Sequence, residues 1–159
     1  MAFNSRVPWR QKIEGSAAPR IVDVPPGRSK AGHGKMLISS PLRVEEVVKS
    51  IAKGEVMTIG QIRSILAKEA NADFTCPITT GIFLKIIAFA SEDEAQRNGS
   101  GTPYWRVVQN NGNLNEGFPG GALRQAFLLE KDGVEVVRNL RGRIYVNLDG
   151  LASQPDPVV

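Results

Sequence analysis

The sequence predicts an α+β fold, mainly helical, that closes with a β-hairpin. Three observations carry this expectation. Apolar residues recur at three-and-four spacing in successive segments from Pro41 onward, a short apolar strand leads into a Gly-rich stretch near Gly112, and two extended runs flank Asn139-Leu140-Arg141-Gly142. With 159 residues, the chain supports one ordinary core, because two independent domains would each bury too little apolar surface.

Residues 1–40 contain Pro8, Pro19, Pro25, Pro26, Gly27, Gly32 and Gly34, which interrupt regular structure repeatedly. Trp9 with Ile13 fits a short helical turn and Ile21-Val22-Asp23-Val24 an extended segment, both expected to dock on the body. Seven basic residues (Arg6, Arg10, Lys12, Arg20, Arg28, Lys30, Lys35) stand here against Glu14 and Asp23, a surplus of five in a chain whose net charge is +4. The chain thus divides into a basic Pro/Gly-rich arm over 1–40, a near-neutral body over 41–149 and a tail over 150–159 that holds Pro155 and Pro157. A basic arm suits phosphate contact. Composition alone favours a solvated, partly disordered tail over that role.

In the body, Val44, Val47, Val48 and Ile51 mark the buried face of a first helix, and Gly54 closes it. Thr58 and Gln61 have the spacing of a capping box at the head of a second helix, whose inner face is Ile62, Ile65 and Leu66. Pro77 suits the first position of a third. There Ile78, Ile82, Phe83, Ile86, Ile87 and Ala90 form the expected inward stripe, leaving Thr79, Thr80 and Lys85 toward the other side. A strand at 105–108, a helix at about 121–131 and a hairpin from 134–138 and 143–147 follow. Three helices in this order, the second and third joined by a modest turn, read as a helix-turn-helix, and the hairpin reads as a wing. The expected architecture is therefore a winged helix-turn-helix with an amino-terminal basic arm. Arg138, Arg141 and Arg143 cluster on the hairpin, as a solvated edge or a phosphate clamp.

Several classes are disfavoured. The single cysteine, Cys76, forms no internal disulfide, no apolar run has the length of a membrane span, and the amino terminus lacks the apolar run of a signal peptide, so a cytoplasmic protein with no membrane partner is expected. No paired cysteines and histidines offer a zinc site and no phosphate-binding Gly motif ends in lysine, so neither metal nor cofactor is expected. The lone His33 reads as an exposed arm residue, and Cys76, although it precedes a helix start, reads as a packed thiol.

The segment Thr102-Pro103-Tyr104-Trp105-Arg106-Val107-Val108, followed by Gly120-Gly121, Leu128-Leu129 and Asp132-Gly133, resembles the active-site region of the DNA O6-alkylguanine alkyltransferases, the methylated-DNA-protein-cysteine methyltransferases. The resemblance spans about residues 41–138. In that family the strand reads Pro-Cys-His-Arg-Val-Val; the cysteine accepts the alkyl group and the histidine activates it. Tyr104 and Trp105 stand at those positions, and the family's glutamate is matched by Asp132. Likewise Met57-Thr58-Ile59-Gly60-Gln61-Ile62 places Ile59 where the family has a DNA-contacting tyrosine, and Pro77-Ile78-Thr79-Thr80-Gly81-Ile82 places Gly81 where it has an arginine that helps extrude the target base.

The resemblance implies a scaffold for double-stranded DNA carrying alkylated guanine. It puts Thr58, Thr79, Thr80, Lys85, Arg106, Arg138, Arg141 and Arg143 at the DNA and Tyr104, Trp105, Phe118, Gly120 and Gly121 around a base pocket, with no catalytic residue. A phenol with a pKa near ~10 and no neighbouring histidine is a poor alkyl acceptor. The leading expectation is a non-catalytic alkyltransferase-like protein that recognises alkylated or distorted bases in DNA repair. Two alternatives stand beside it: a protein-interaction domain, which the acidic run Ser91-Glu92-Asp93-Glu94 favours, and an active alkyltransferase that uses Cys76. Tyr104 and Trp105 are either a wall on which an extruded base stacks or rings filling a disused pocket. The loop glycines are equally explained by tight turns.

Overall fold

The computed structural model describes residues 6–150, so the expected tail from 151 onward and the first five residues of the arm lie outside them. The arm supplies three elements. α1 (Trp9–Glu14) buries Trp9 and Ile13, and the Trp9 ring stacks on Phe89 with centroids 5.1 Å apart. β1 (Arg20–Val24) pairs antiparallel with β2 (Gly34–Ile38), Val22 facing Met36. Both the helical turn and the extended segment expected there are present.

α2 (Pro41–Lys49) starts at Ser40, whose hydroxyl accepts from the Arg43 N–H, and buries Val44, Val47 and Val48 as their spacing predicts. β3 (Met57–Thr58) runs into α3 (Ile59–Glu69) through the full capping box: Thr58 Oγ1 accepts from Gln61 N at 3.1 Å and Gln61 Oε1 from Thr58 N at 2.8 Å. β4 (Phe74–Thr75) then lies parallel to β2, completing a three-stranded sheet in the order β1-β2-β4. The sheet thereby joins arm to body.

α4 (Pro77–Asn98) differs from expectation in length and in face. It continues past Ala90 to a left-handed Gly99, so the acidic run lies inside the helix rather than at its end. Its buried face is Thr80, Leu84, Ile87, Ala88, Ala90 and Ser91, while Ile78 and Ile82, expected inside, face water. Phe83, Ile86, Ile87 and Ala90 pack inward as expected; only the first turns depart, because Thr80 satisfies its own hydroxyl on the Cys76 carbonyl at 2.8 Å, which lets a polar side chain go inside.

A 3₁₀ turn, Tyr104–Arg106, occupies the start of the expected strand, and β5 (Val107–Val108) pairs parallel with β3. α5 (Gly121–Lys131) has the predicted bounds. β6 (Val137–Arg138) and β7 (Ile144–Tyr145) form the antiparallel hairpin, shorter than the sequence suggested. The apolar interior has two parts. One gathers Trp9, Ile13, Val44, Val48, Ile62, Leu66, Leu84, Ile87, Tyr104 and Phe118; the other, Val56, Val108, Leu114, Ala126, Leu129 and Val146, lies under α5 and the hairpin. Trp105 packs against both. No helix of the described residues is long and apolar enough to cross a membrane.

Candidate nucleic-acid interface

The region that the sequence marked as a base pocket is an aromatic cluster. Tyr104 meets Trp105 edge to face at 5.5 Å and Phe118 at 5.2 Å. Its side chain is 0% exposed, and its hydroxyl donates to Glu92 Oε1 at 2.7 Å. Burial, and then the facing Glu92 carboxylate, push the phenol far above the ordinary tyrosine value. It stays neutral. Arg124 reaches the same carboxylate from α5, so Glu92, Tyr104 and Arg124 link three elements across the cluster.

Trp105 donates its indole N–H to Asp132 Oδ2 at 2.8 Å, and Arg106 Nε donates to the same oxygen at 2.8 Å. Burial works against the Asp132 charge, yet the hydrogen bonds from Arg106 and Trp105 outweigh it and hold the carboxyl below the usual aspartate value. The two positions that the resemblance matches to a histidine and a glutamate are thus hydrogen-bonded to each other here through the Trp105 indole. Arg106 also donates to the Ile51 carbonyl at 2.8 Å, and only 14% of its side chain is exposed. Expected at the DNA, it is turned inward to hold Asp132.

Of the other residues expected at the DNA, Thr58 and Thr80 are buried, with hydroxyls engaged in the cap of α3 and on the Cys76 carbonyl. Thr79 is partly covered. Lys85 is exposed, and its stem runs beside Gly117. Arg138, Arg141 and Arg143 are exposed on the hairpin. Arg138 pairs with Glu130 at 2.8 Å, while Arg143 lies 3.9 Å over the Tyr145 ring and donates to Asn113 Oδ1 at 2.5 Å. Of the arm, Arg10 is drawn inside: it forms a two-pronged pair with Glu45 at 2.6 and 2.8 Å and reaches Glu94 at 2.6 Å.

Gly120 and Gly121, assigned to the pocket, both have positive φ (75° and 70°) at the head of α5. A Cβ on them would meet Arg124 Cβ at 2.6 Å and Glu116 Oε2 at 2.8 Å, so the turn itself requires glycine. Arg124 and Gln125 escaped the sequence reading, and Glu92 was read only as part of the acidic run, not as the partner of Tyr104 and Arg124. Gln125 is fully buried; it accepts from Asn115 N at 2.7 Å and donates to the carbonyls of Trp105 at 3.0 Å and Val107 at 2.7 Å. A glutamine at i+3 from Ala122 on a face with Ala126 and Leu129 was the available signal.

With this geometry in place, the chain is similar to a crystal structure of S. pombe Atl1 in complex with damaged DNA containing O6-carboxymethylguanine, at 23% identity and a TM-score of 0.53, over 72% of this chain and 94% of that one. The two share a fold. A structure of S. pombe ATL in complex with DNA gives 22% identity and a TM-score of 0.47 over the same shares. No protein-family model matches the chain, and no curated protein does. The similarity to the Atl1 fold covers the greater part of this chain, so it accounts for the mixed architecture and leaves the roles of individual residues to their own geometry.

Proposed function

We propose that the chain is a non-catalytic, alkyltransferase-like DNA-binding protein that recognises alkylated or distorted bases, with α3 and α4 acting as a helix-turn-helix, the β6–β7 hairpin as its wing, and DNA repair as the setting. One observation carries the reading best: the alkyl-acceptor position is kept inside an intact frame, Pro103 to Val108, but filled by a buried phenol tied to Glu92. The fold shared with Atl1, a protein whose structure holds damaged DNA, supports the DNA partner. The acidic run, which favoured a protein-interaction domain, carries less weight once Glu92 and Glu94 are seen paired with Arg124 and Arg10.

Alkyl transfer through Cys76 finds no support in the geometry. Cys76 is buried at the start of α4, and Tyr104 bonds Glu92 on that helix, sixteen residues further on, roughly 24 Å at the helical rise. A reactive thiolate needs access and a base beside it. The protein-interaction reading retains one specific observation, the exposure of Leu123 and Phe127 one turn apart on α5. Titration of fluorescent duplexes, unmodified and carrying O6-methylguanine, at several salt concentrations tests the proposal. Tighter binding to the modified duplex is expected, with no methyl adduct by intact-mass measurement. Equal affinity for both duplexes overturns recognition of the altered base, and an adduct on Cys76 overturns the non-catalytic role.

A further inference from the structure

Ile78 is 73% and Ile82 51% exposed. With Gly81 and Lys85 they occupy spacings of three, four and seven, and so share one face of α4. That spacing belongs to a buried helix face, yet here water covers it. Gly81 sits between the two isoleucines with nothing within 4 Å of a Cβ built on it, so the protein's own packing does not call for glycine at a position where glycine weakens a helix. The stripe is a notched apolar ridge with a cation at its far end.

Charge selects the occupant. The first turn of α4 contains no acidic residue, Lys85 is the one charged side chain of the stripe, and Glu92 and Glu94 further along the helix are paired with Arg124 and Arg10. A second copy of the chain would set these positive features against their own likes. A polyanion whose apolar interior opens at a weakened base step complements them, and isoleucine is among the side chains that proteins wedge between base steps. We infer that Ile78 and Ile82 form an apolar wedge for a DNA duplex at an unstacked step, with Gly81 admitting the strand close to the helix and Lys85 meeting a phosphate. This inference rests on the DNA-binding reading above.

The test uses the full chain and a duplex carrying O6-methylguanine beside 2-aminopurine, whose fluorescence rises on unstacking. The parent protein is expected to raise that fluorescence. An Ile78→Ser/Ile82→Ser double variant, with thermal unfolding unchanged, is expected to bind about tenfold more weakly because less apolar surface is buried against the DNA, to lose the fluorescence rise and to keep the salt dependence. Lys85→Ala should instead reduce the slope of log affinity against log salt by ~0.9 while keeping the rise. Parental affinity and parental fluorescence in the double variant would overturn the wedge and leave the DNA reading standing. If the parent does not bind this duplex or its unmodified counterpart, that reading falls and the wedge with it; a dimer in sedimentation that the double variant loses would assign the ridge to a second copy.

Discussion

Residues 77–83 of α4 present two isoleucines to water, whereas further along the same helix Phe89 stacks on Trp9 of α1, Ser91 and Glu92 bond Thr102 and Tyr104, and Glu92 and Glu94 are each paired to an arginine from another element. The sequence placed Ile78 and Ile82 inside with Phe83, Ile86, Ile87 and Ala90; the last four do pack inward, whereas the first two face water and the acidic run is tied to arginines. The contrast shows that hydropathy reports what a side chain prefers, while docking geometry decides which face of a helix is covered. The carboxylates drawn in are offset by arginines already present, whereas the isoleucine pair has no cover within the described residues.

The largest effect that sharpens this contrast is expected in the packed half. Tyr104→Ala removes a fully buried ring from between Trp105 and Phe118 and should destabilise the fold by about 3–5 kcal/mol, measured by urea unfolding. Unchanged stability with lost preference for modified DNA would instead make Tyr104 a recognition residue and undo its role as filler. Arg10→Met is expected to cost about 3 kcal/mol, because it takes the two-pronged guanidinium from the Glu45 carboxylate, 4% exposed, and leaves it only the Thr102 hydroxyl and a more distant Lys49.

That second variant carries a pH signature. Burial opposes the Glu45 charge, but the hydrogen bonds from Arg10 and Thr102 prevail and set its folded-state value below the ordinary one. A depressed carboxylate adds stability that is complete above the unfolded value, near ~4.3, and is lost as pH falls through the folded value. The parent should therefore weaken on acidification below that point, and the gap between parent and Arg10→Met should narrow. A constant gap across that window would show that the pair does not titrate with folding.

A smaller effect is expected from Tyr104→Phe, which keeps the ring and removes only the hydroxyl that donates to Glu92: about 1–3 kcal/mol in thermal unfolding. The exposed half should hardly respond. Ile78→Ala and Ile82→Ala are each expected to change stability by no more than ~0.5 kcal/mol, and a larger loss in either would show that half of α4 to be core after all. For the arm, removal of residues 1–35 would take α1, β1 and part of β2 with it, so its electrostatic share is better read from Arg28→Gln/Lys30→Gln. Each phosphate that these substitutions leave unneutralised should flatten the salt slope by ~0.9, and an unchanged slope would move attention to Arg141 and Arg143.

Elements whose signals are local were legible in the sequence. The Thr58–Gln61 capping box, the start of α4 at Pro77, α5 at 121–131 and the hairpin around Asn139-Leu140-Arg141-Gly142 each depend on a few neighbouring residues, because caps, turns and short helices are set by backbone chemistry within a few positions. The aromatic pair Tyr104-Trp105, where the resemblance to the alkyltransferases matches cysteine and histidine, was equally visible, since it is a matter of residue identity. The inside of the molecule was not. That Arg106 holds Asp132, that Arg10 sinks onto Glu45 and that Gln125 bridges α5 to the carbonyls of Trp105 in the 3₁₀ turn and Val107 in β5 depend on groups between 18 and 35 residues apart in sequence. Local chemistry determined the elements and the residue types at 104 and 105; which charges are neutralised, which turns of α4 stay wet and how fully Tyr104 is enclosed were decided by tertiary packing, because only the docked helices bring those distant partners within hydrogen-bonding reach.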